Sequence, residues 1–144
     1  MKSNSGYKIE WKDEYSVGVK EIDKQHQKLV DLINKTIDAV HAKNMKLVLE
    51  SVIDEMEEYV IVHFSTEEKY FKKFKYVNTK SHMQEHKIFV DRVGYFKNKI
   101  LKAKQEDVLA LIYEVIDYLE DWLIRHIIEN DQKYIKCFKK HGLS

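Results

Sequence analysis

Apolar residues recur every three or four positions through four long stretches of this chain, with lysines, aspartates and glutamates filling the positions between them. That spacing returns to one face of a helix advancing about 100° per residue and predicts amphipathic helices. The first runs from about Asp23 to Ala42 through Ile22, His26, Leu29, Ile33, Ile37 and Val40. The second, about Met45 to Phe74, passes through Leu49, Val52, Met56, Tyr59, His63, Glu67, Tyr70 and Phe74. The third, about Thr79 to Lys104, carries His82, His86, Phe89, Val93, Phe96 and Ile100, and the fourth, about Glu106 to Asn130, carries Leu109, Ile112, Val115, Leu119, Trp122 and His126. Gly94 inside the third costs about 1 kcal/mol relative to alanine unless a close helix approach needs its missing side chain. Connections of a few residues, at Lys43-Asn44, Lys75 to Asn78 and Gln105, favour antiparallel neighbours. The expectation is an all-α fold, an antiparallel up-down-up-down four-helix bundle forming one domain over residues 1–144. An N-terminal arm reaches to about residue 21, the bundle to about 131, and a short helical C-terminal tail follows.

Composition narrows the classes of function. A chain of 144 residues can bury roughly 70% of its unfolded surface, enough for one core without staples. Proline is absent, so nothing forces a break in the helices. With 25 basic and 24 acidic residues the net charge is +1, which gives no electrostatic case for nucleic acid or an anionic membrane. No apolar run is long enough to span a bilayer. Cys137 is the lone cysteine and the stretch from Met1 to Trp11 holds no signal-peptide-like apolar run, so a cytoplasmic location is expected.

What changes the picture is the set of residues that replaces apolar side chains in register: His26, His63, Glu67, His82, His86, His126 and, just beyond, Asp131. Positions four apart lie about 40° apart on a helix, so His63/Glu67 and His82/His86 each form a same-face pair able to grip one centre. His26 stands early in its helix, His63 and Glu67 late, His82 and His86 early, and His126 and Asp131 late, so antiparallel packing brings all seven to one end. Imidazoles with carboxylates suit zinc, copper, iron or nickel, and a carboxylate can bridge two ions. Two six-coordinate ions need twelve ligand positions; five histidines, two bridging carboxylates and one bridging oxygen fill eleven, leaving one open for an exogenous ligand. Without a metal, the same buried polar groups would each cost roughly 1 to 3 kcal/mol.

Competing readings are weaker. His82 to His86 also reads His-x-x-Glu-His, the inverted zinc-protease pattern with Glu85 as general base, but Glu85 lies about 60° around the helix from His82. The Glu-x-x-His pairs of ferritin-like di-iron proteins are absent. His41 and His141, near helix ends, are not ligand candidates; Lys133, Lys136, Lys139 and Lys140 read as a solvated face, and Cys137 as a packing residue. One spacing is awkward. His126 and Asp131, five residues apart, would diverge by about 140° on a regular helix, so a π-type widening or loosened turn is expected between about Ile127 and Asp131.

The strings Ile22-Asp23-Lys24-Gln25-His26, His63-Phe64-Ser65-Thr66-Glu67-Glu68, His82-Met83-Gln84-Glu85-His86 and Trp122 to Asp131 resemble the four ligand motifs of the hemerythrin family. Trp11 and Val17-Gly18-Val19 resemble its N-terminal arm. The resemblance implies a non-haem di-iron centre that binds dioxygen reversibly as a peroxide. It places His82, His86 and His126 on one iron, His26 and His63 on the other, and bridges them with Glu67, Asp131 and an oxo or hydroxo group. The vacancy then falls on the iron held by His26 and His63. By helical phase Leu29, Ile33, Phe64, Leu123 and Ile127 come nearest to it, and in the family the residues matching Leu123 and Trp122 help to line the pocket. No carboxylate, tyrosine or histidine beyond the ligands is evidently placed to donate protons there, which favours reversible binding over turnover. The expected function is therefore a carrier, store or sensor of dioxygen, also able to take nitric oxide and served by a separate reductase or signalling partner. The alternatives are a di-iron enzyme of peroxidase or nitric oxide reductase type, and an iron- or zinc-handling protein.

Overall fold

The structure, a computed structural model, describes residues 8–144; the first seven residues of the expected arm lie outside the described residues. Four long helices form the bundle: α1 (Lys20–Ala39), α2 (Met45–Phe74), α3 (Thr79–Lys102) and α4 (Val108–Trp122). Helix α4 continues as a π segment, Leu123–Asn130, then a 3-10 turn, Asp131–Tyr134, before the six-residue α5 (Ile135–Lys140). In each long helix the apolar stripe turns inward: Leu29, Ile33 and Ile37 of α1 meet Leu49, Val52, Ile53 and Met56 of α2, Phe89, Val93 and Phe96 of α3, and Ile112, Val115 and Leu119 of α4 in one buried core. A second, smaller core of Val17, Val19, Ile22, Phe71, Tyr76, Tyr134 and Phe138 closes the end where the arm, the α2–α3 turn and the tail meet. Among the described residues no helix is long and apolar enough to cross a membrane.

Helix α1 starts at Lys20, three residues before the expected Asp23. Asp23 still fixes that entry, but from within the first turn: its Oδ1 accepts the Val17 backbone N–H at 2.8 Å and its Oδ2 the Ser16 hydroxyl at 2.5 Å. The arm is held further along by Asn34, which both accepts the Ile9 N–H (2.7 Å) and donates to the Ile9 carbonyl (2.8 Å). Asn44 caps α2 by accepting the Leu47 N–H. The other end of α2 closes with Lys75 in the left-handed conformation (φ 53, ψ 49), the Tyr76 N–H bonded back to the Phe71 carbonyl, and the Tyr76 and Phe71 rings 5.0 Å apart. This Schellman arrangement, with its apolar contact, reverses the chain within a few residues and delivers α3 antiparallel to α2. Gly94 is exposed, and a Cβ there would meet nothing within 4 Å. No close helix approach explains it.

Candidate metal centre

The four helices bring His26 (α1), His63 and Glu67 (α2), His82 and His86 (α3), His126 (π segment) and Asp131 (3-10 turn) to one end of the bundle, all buried. Their ligand atoms form two groups, each within 4.8 Å: Glu67 with His82, His86 and His126, and Glu67 with His26, His63 and Asp131. Glu67 is common to both. Its Oε1 lies 2.9 Å from His86 Nε2, 3.3 Å from His63 Nε2 and 3.5 Å from His82 Nε2. Asp131 spans the groups with two oxygens. Oδ2 is 2.8 Å from His26 Nε2, while Oδ1 is 2.9 Å from His82 Nε2 and 3.1 Å from His126 Nε2.

These contacts have hydrogen-bond lengths, yet most lack hydrogen-bond directions. Nε2 of His26, His63, His82 and His126 and both oxygens of Asp131 have no hydrogen-bond partner among the described residues. A buried polar atom without a partner costs about 1–3 kcal/mol, and so many at one level are explained when lone pairs converge on ions between them. Histidine nitrogens with carboxylate oxygens are a donor set that fits iron. The residues therefore fit a dinuclear metal.

Local backbone makes the last two positions compatible. The π segment runs from Leu123 to Asn130, and the Asp131 N–H bonds to the His126 carbonyl, five residues back. One extra residue per turn brings positions five apart onto a common face. The widening begins four residues earlier than the expected Ile127, because it takes in the whole turn that carries His126.

The outward nitrogens of His63, His86 and His126 are each met from the preceding helix. His63 Nδ1–H donates to Gln25 Oε1 at 2.8 Å, and Gln25 Nε2 in turn donates to Thr66 Oγ1 at 3.0 Å. His86 Nδ1–H donates to Glu68 Oε2 at 2.8 Å. His126 Nδ1 faces Glu85 Oε1 at 3.5 Å, and Asn130 Nδ2 donates to the same oxygen at 2.5 Å. Each partner neighbours a ligand on the preceding helix: Gln25 beside His26, Glu68 beside Glu67, Glu85 beside His86. Such contacts fix the ring so that Nε2 points inward and raise its basicity as a ligand. Glu85 thus faces outward behind His126, which removes the general-base role that a His-x-x-Glu-His reading would give it.

Charge within the cluster is balanced by protonation when only side chains are counted. Burial opposes a charged His82 and His126, but Asp131, Glu67 and, for His126, Glu85 outweigh it and raise them to about 9 and about 10. Burial holds His63 down, to about 3, with His26 adding to the effect against the pull of Glu67. Burial would push Glu67 and Asp131 up, and for Glu67 the charge of Asp131 adds to it; the surrounding imidazoles win and keep both carboxyls well below their usual range.

A profile of the Hemerythrin HHE cation binding domain matches residues 17–138. This chain belongs to the hemerythrin family. It is 34% identical over 130 residues to a bacteriohemerythrin of Clostridium acetobutylicum, covering 87% of this chain and 97% of that one. A bacteriohemerythrin of Pseudomonas aeruginosa (strain LESB58) is 31% identical over 134 residues, 93% of this chain and 83% of the relative. In fold, the chain is similar to the crystal structure of a leucine-to-tyrosine mutant of hemerythrin, with a TM-score of 0.75 and 25% identity over 90% of this chain and 95% of that one.

Of the residues expected to line the pocket of this hemerythrin-type cluster, Leu29, Ile33, Phe64, Trp122, Leu123 and Ile127 are all buried in the main core. Phe64 stacks on His86 (centroids 3.8 Å, interplanar angle 6°) with the His63 ring 5.6 Å away, and Trp122 stacks on His126 (4.0 Å, 12°). Two tyrosines that helical periodicity did not single out lie against the cluster. Tyr59 is buried with its ring stacked on His63 (5.2 Å, 21°), and the Tyr134 hydroxyl donates to Glu67 Oε2 at 2.5 Å. Tyr59 stands four residues before His63, a spacing that could have flagged it. Tyr134 ends the 3-10 turn that follows the π segment, and no regular periodicity gives the combined phase of the two.

Proposed function

We propose that this chain binds dioxygen reversibly at two irons, as a carrier, store or sensor. In this reading His82, His86 and His126 hold one ion, His26 and His63 the other, and Glu67 and Asp131 bridge. The observation that carries it is the pair of ligand groups sharing Glu67 and spanned by the two oxygens of Asp131. Two irons there supply the electrons that dioxygen accepts on binding and returns on leaving, and a position for it to occupy. The chain's part is to hold the ligands, exclude water and withhold protons. Leu29, Ile33, Leu123 and Ile127 offer only hydrocarbon, which slows loss of partly reduced oxygen species to solvent. The phenols of Tyr59 and Tyr134 do carry protons, but both are buried, which disfavours the charged phenolate, and the Tyr134 hydroxyl is already engaged in donating to Glu67 Oε2, which weighs against a peroxidase or nitric oxide reductase. Nitric oxide remains a ligand the same position could take. The unpaired Cys137 accords with a reducing cytoplasm.

Elemental analysis of protein made in iron-replete cells tests the metal. Two irons per chain are expected from the ligand count; one metal per chain, or mainly zinc, contradicts the proposal. Glu67→Ala and Asp131→Ala are each expected to lose more iron than any single His→Ala variant. Equal retention in all of them would remove the bridging assignment.

A further inference from the structure

Charge is segregated in this nearly neutral chain. Residues 69–87 hold six lysines and one acid, Glu85, and residues 132–141 hold four lysines and no acid; residues 104–130 hold seven acids against Lys104 and Arg125. The first two segments share one end of the molecule, where Phe74 packs on Phe138 (5.6 Å) and His141 (4.5 Å). Among the described residues Lys72, Lys75, Lys80, Lys136, Lys139 and Lys140 are exposed, and none has an acidic partner within 4.0 Å. Between Lys75 and Lys80 stands Val77, 89% exposed, and beside it Met83, 43% exposed; with Lys80 and Lys87 they line one shallow surface depression. Directly beneath lies a short aromatic route to the metal ligands: Tyr76 to Phe71 at 5.0 Å, Phe71 to His82 at 4.8 Å, and Tyr134, 6.3 Å from Tyr76, bonded to Glu67.

We propose that this lysine-ringed, apolar-centred end, around Val77, is the docking surface for a small acidic one-electron carrier protein that reduces the metal centre. It rests on the di-iron reading above. A centre that exchanges oxygen reversibly must be returned to the ferrous state whenever it oxidises, and the ligands are buried, so the electron has to come from a surface close to them. Each encounter passes one electron from the partner's reduced cofactor to one ferric ion; two encounters return both ions to the ferrous state, and each partner molecule leaves oxidised by one electron. A small apolar patch inside a ring of like charge suits such a transient contact: the charges steer the approach, and the small dry area lets the partner leave.

Reduced flavodoxin, an acidic flavoprotein, is a suitable probe, with the methyl viologen radical as a small cationic reductant that needs no docking surface. Iron content is established first, since a chain without two irons overturns the di-iron reading independently. With loaded protein, stopped-flow reduction by flavodoxin is expected to slow as salt rises. It is expected to fall about tenfold or more in Lys75→Glu/Lys80→Glu, while reduction by the viologen radical stays within about twofold. Titration calorimetry of the loaded chain with oxidised flavodoxin is expected to show weak, salt-sensitive binding that the double variant loses. Val77→Asp is expected to weaken it too, and Lys104→Glu, at the acidic side, to leave it unchanged. A salt-independent rate, equal slowing with both reductants, or no calorimetric difference between wild type and double variant overturns the docking surface while leaving the di-iron reading intact. So does lysine-dependent binding to phosphatidylserine vesicles with flavodoxin reduction unaffected by the substitutions, which would assign this end to a membrane.

Discussion

Tyr134 shows how much of a metal centre lies outside its ligands. Its hydroxyl takes one oxygen of Glu67 and leaves Oε1 facing the histidines of both groups. Replacing Tyr134 by Phe leaves that oxygen buried without its donor; for a charged acceptor this costs about 1.5–3 kcal/mol. Urea unfolding of the iron-free protein is expected to show that loss, and iron release to a chelator is expected to quicken; unchanged values in both would mean that Tyr134 is only packing. Six residues of the cluster, all but Asp131, were legible in the sequence because each replaces an apolar residue in register, a violation that periodicity exposes. Gln25, Glu68 and Glu85 were not. Each neighbours a ligand and so sits about 100° away on the helix flank, where a polar residue breaks no rule, and only the ring of helices shows that it serves the next helix's histidine.

The long helices followed from the three-four repeat and their antiparallel order from the short connections, and the boundaries of α2 coincide with the expected Met45 and Phe74. The start of α1 did not follow, because the apolar repeat begins near Asp23 while the helix starts at Lys20, with Asp23 reaching back to Val17 from inside the first turn. The π segment was legible from chemistry rather than pattern: His126 and Asp131 had to share a centre, and a regular helix would part them. Its length was not legible, since widening spreads along the turn until backbone bonding recovers. Gly94 gives a direct check on the plainest part of the helical picture. It sits exposed within α3 with open space where a Cβ would go, so Gly94→Ala is expected to stabilise the protein by about 0.5–1 kcal/mol. A lower melting temperature in that variant would mean that the glycine answers a constraint other than helix propensity.

In the whole molecule, one pole of the bundle is hydrocarbon and the other a polar cluster that must be neutralised by protons or by metal. His82 and His126 have folded-state pKa values raised to about 9 and about 10 in the absence of metal, against about 6.5 when unfolded. Their stabilisation is therefore full below about pH 6.5 and is lost as pH rises through 9 to 10. His63, lowered to about 3, acts only below about pH 6.5 and leaves that window clear. Iron-free protein is expected to melt at progressively lower temperature from pH 7 to 9.5, whereas iron-loaded protein, whose ligand nitrogens bind metal instead of protons, is not. Equal pH profiles for the two forms would mean that the cluster is not where the metal binds. The central claim, reversible dioxygen binding, is tested most directly by the optical spectrum of the reduced, iron-loaded protein before air, after air and after removal of the gas. A new visible absorption that appears with air and disappears on degassing, leaving the original spectrum, is the expected result; steady consumption of oxygen in the presence of a reductant, or no change on exposure to air, would contradict it.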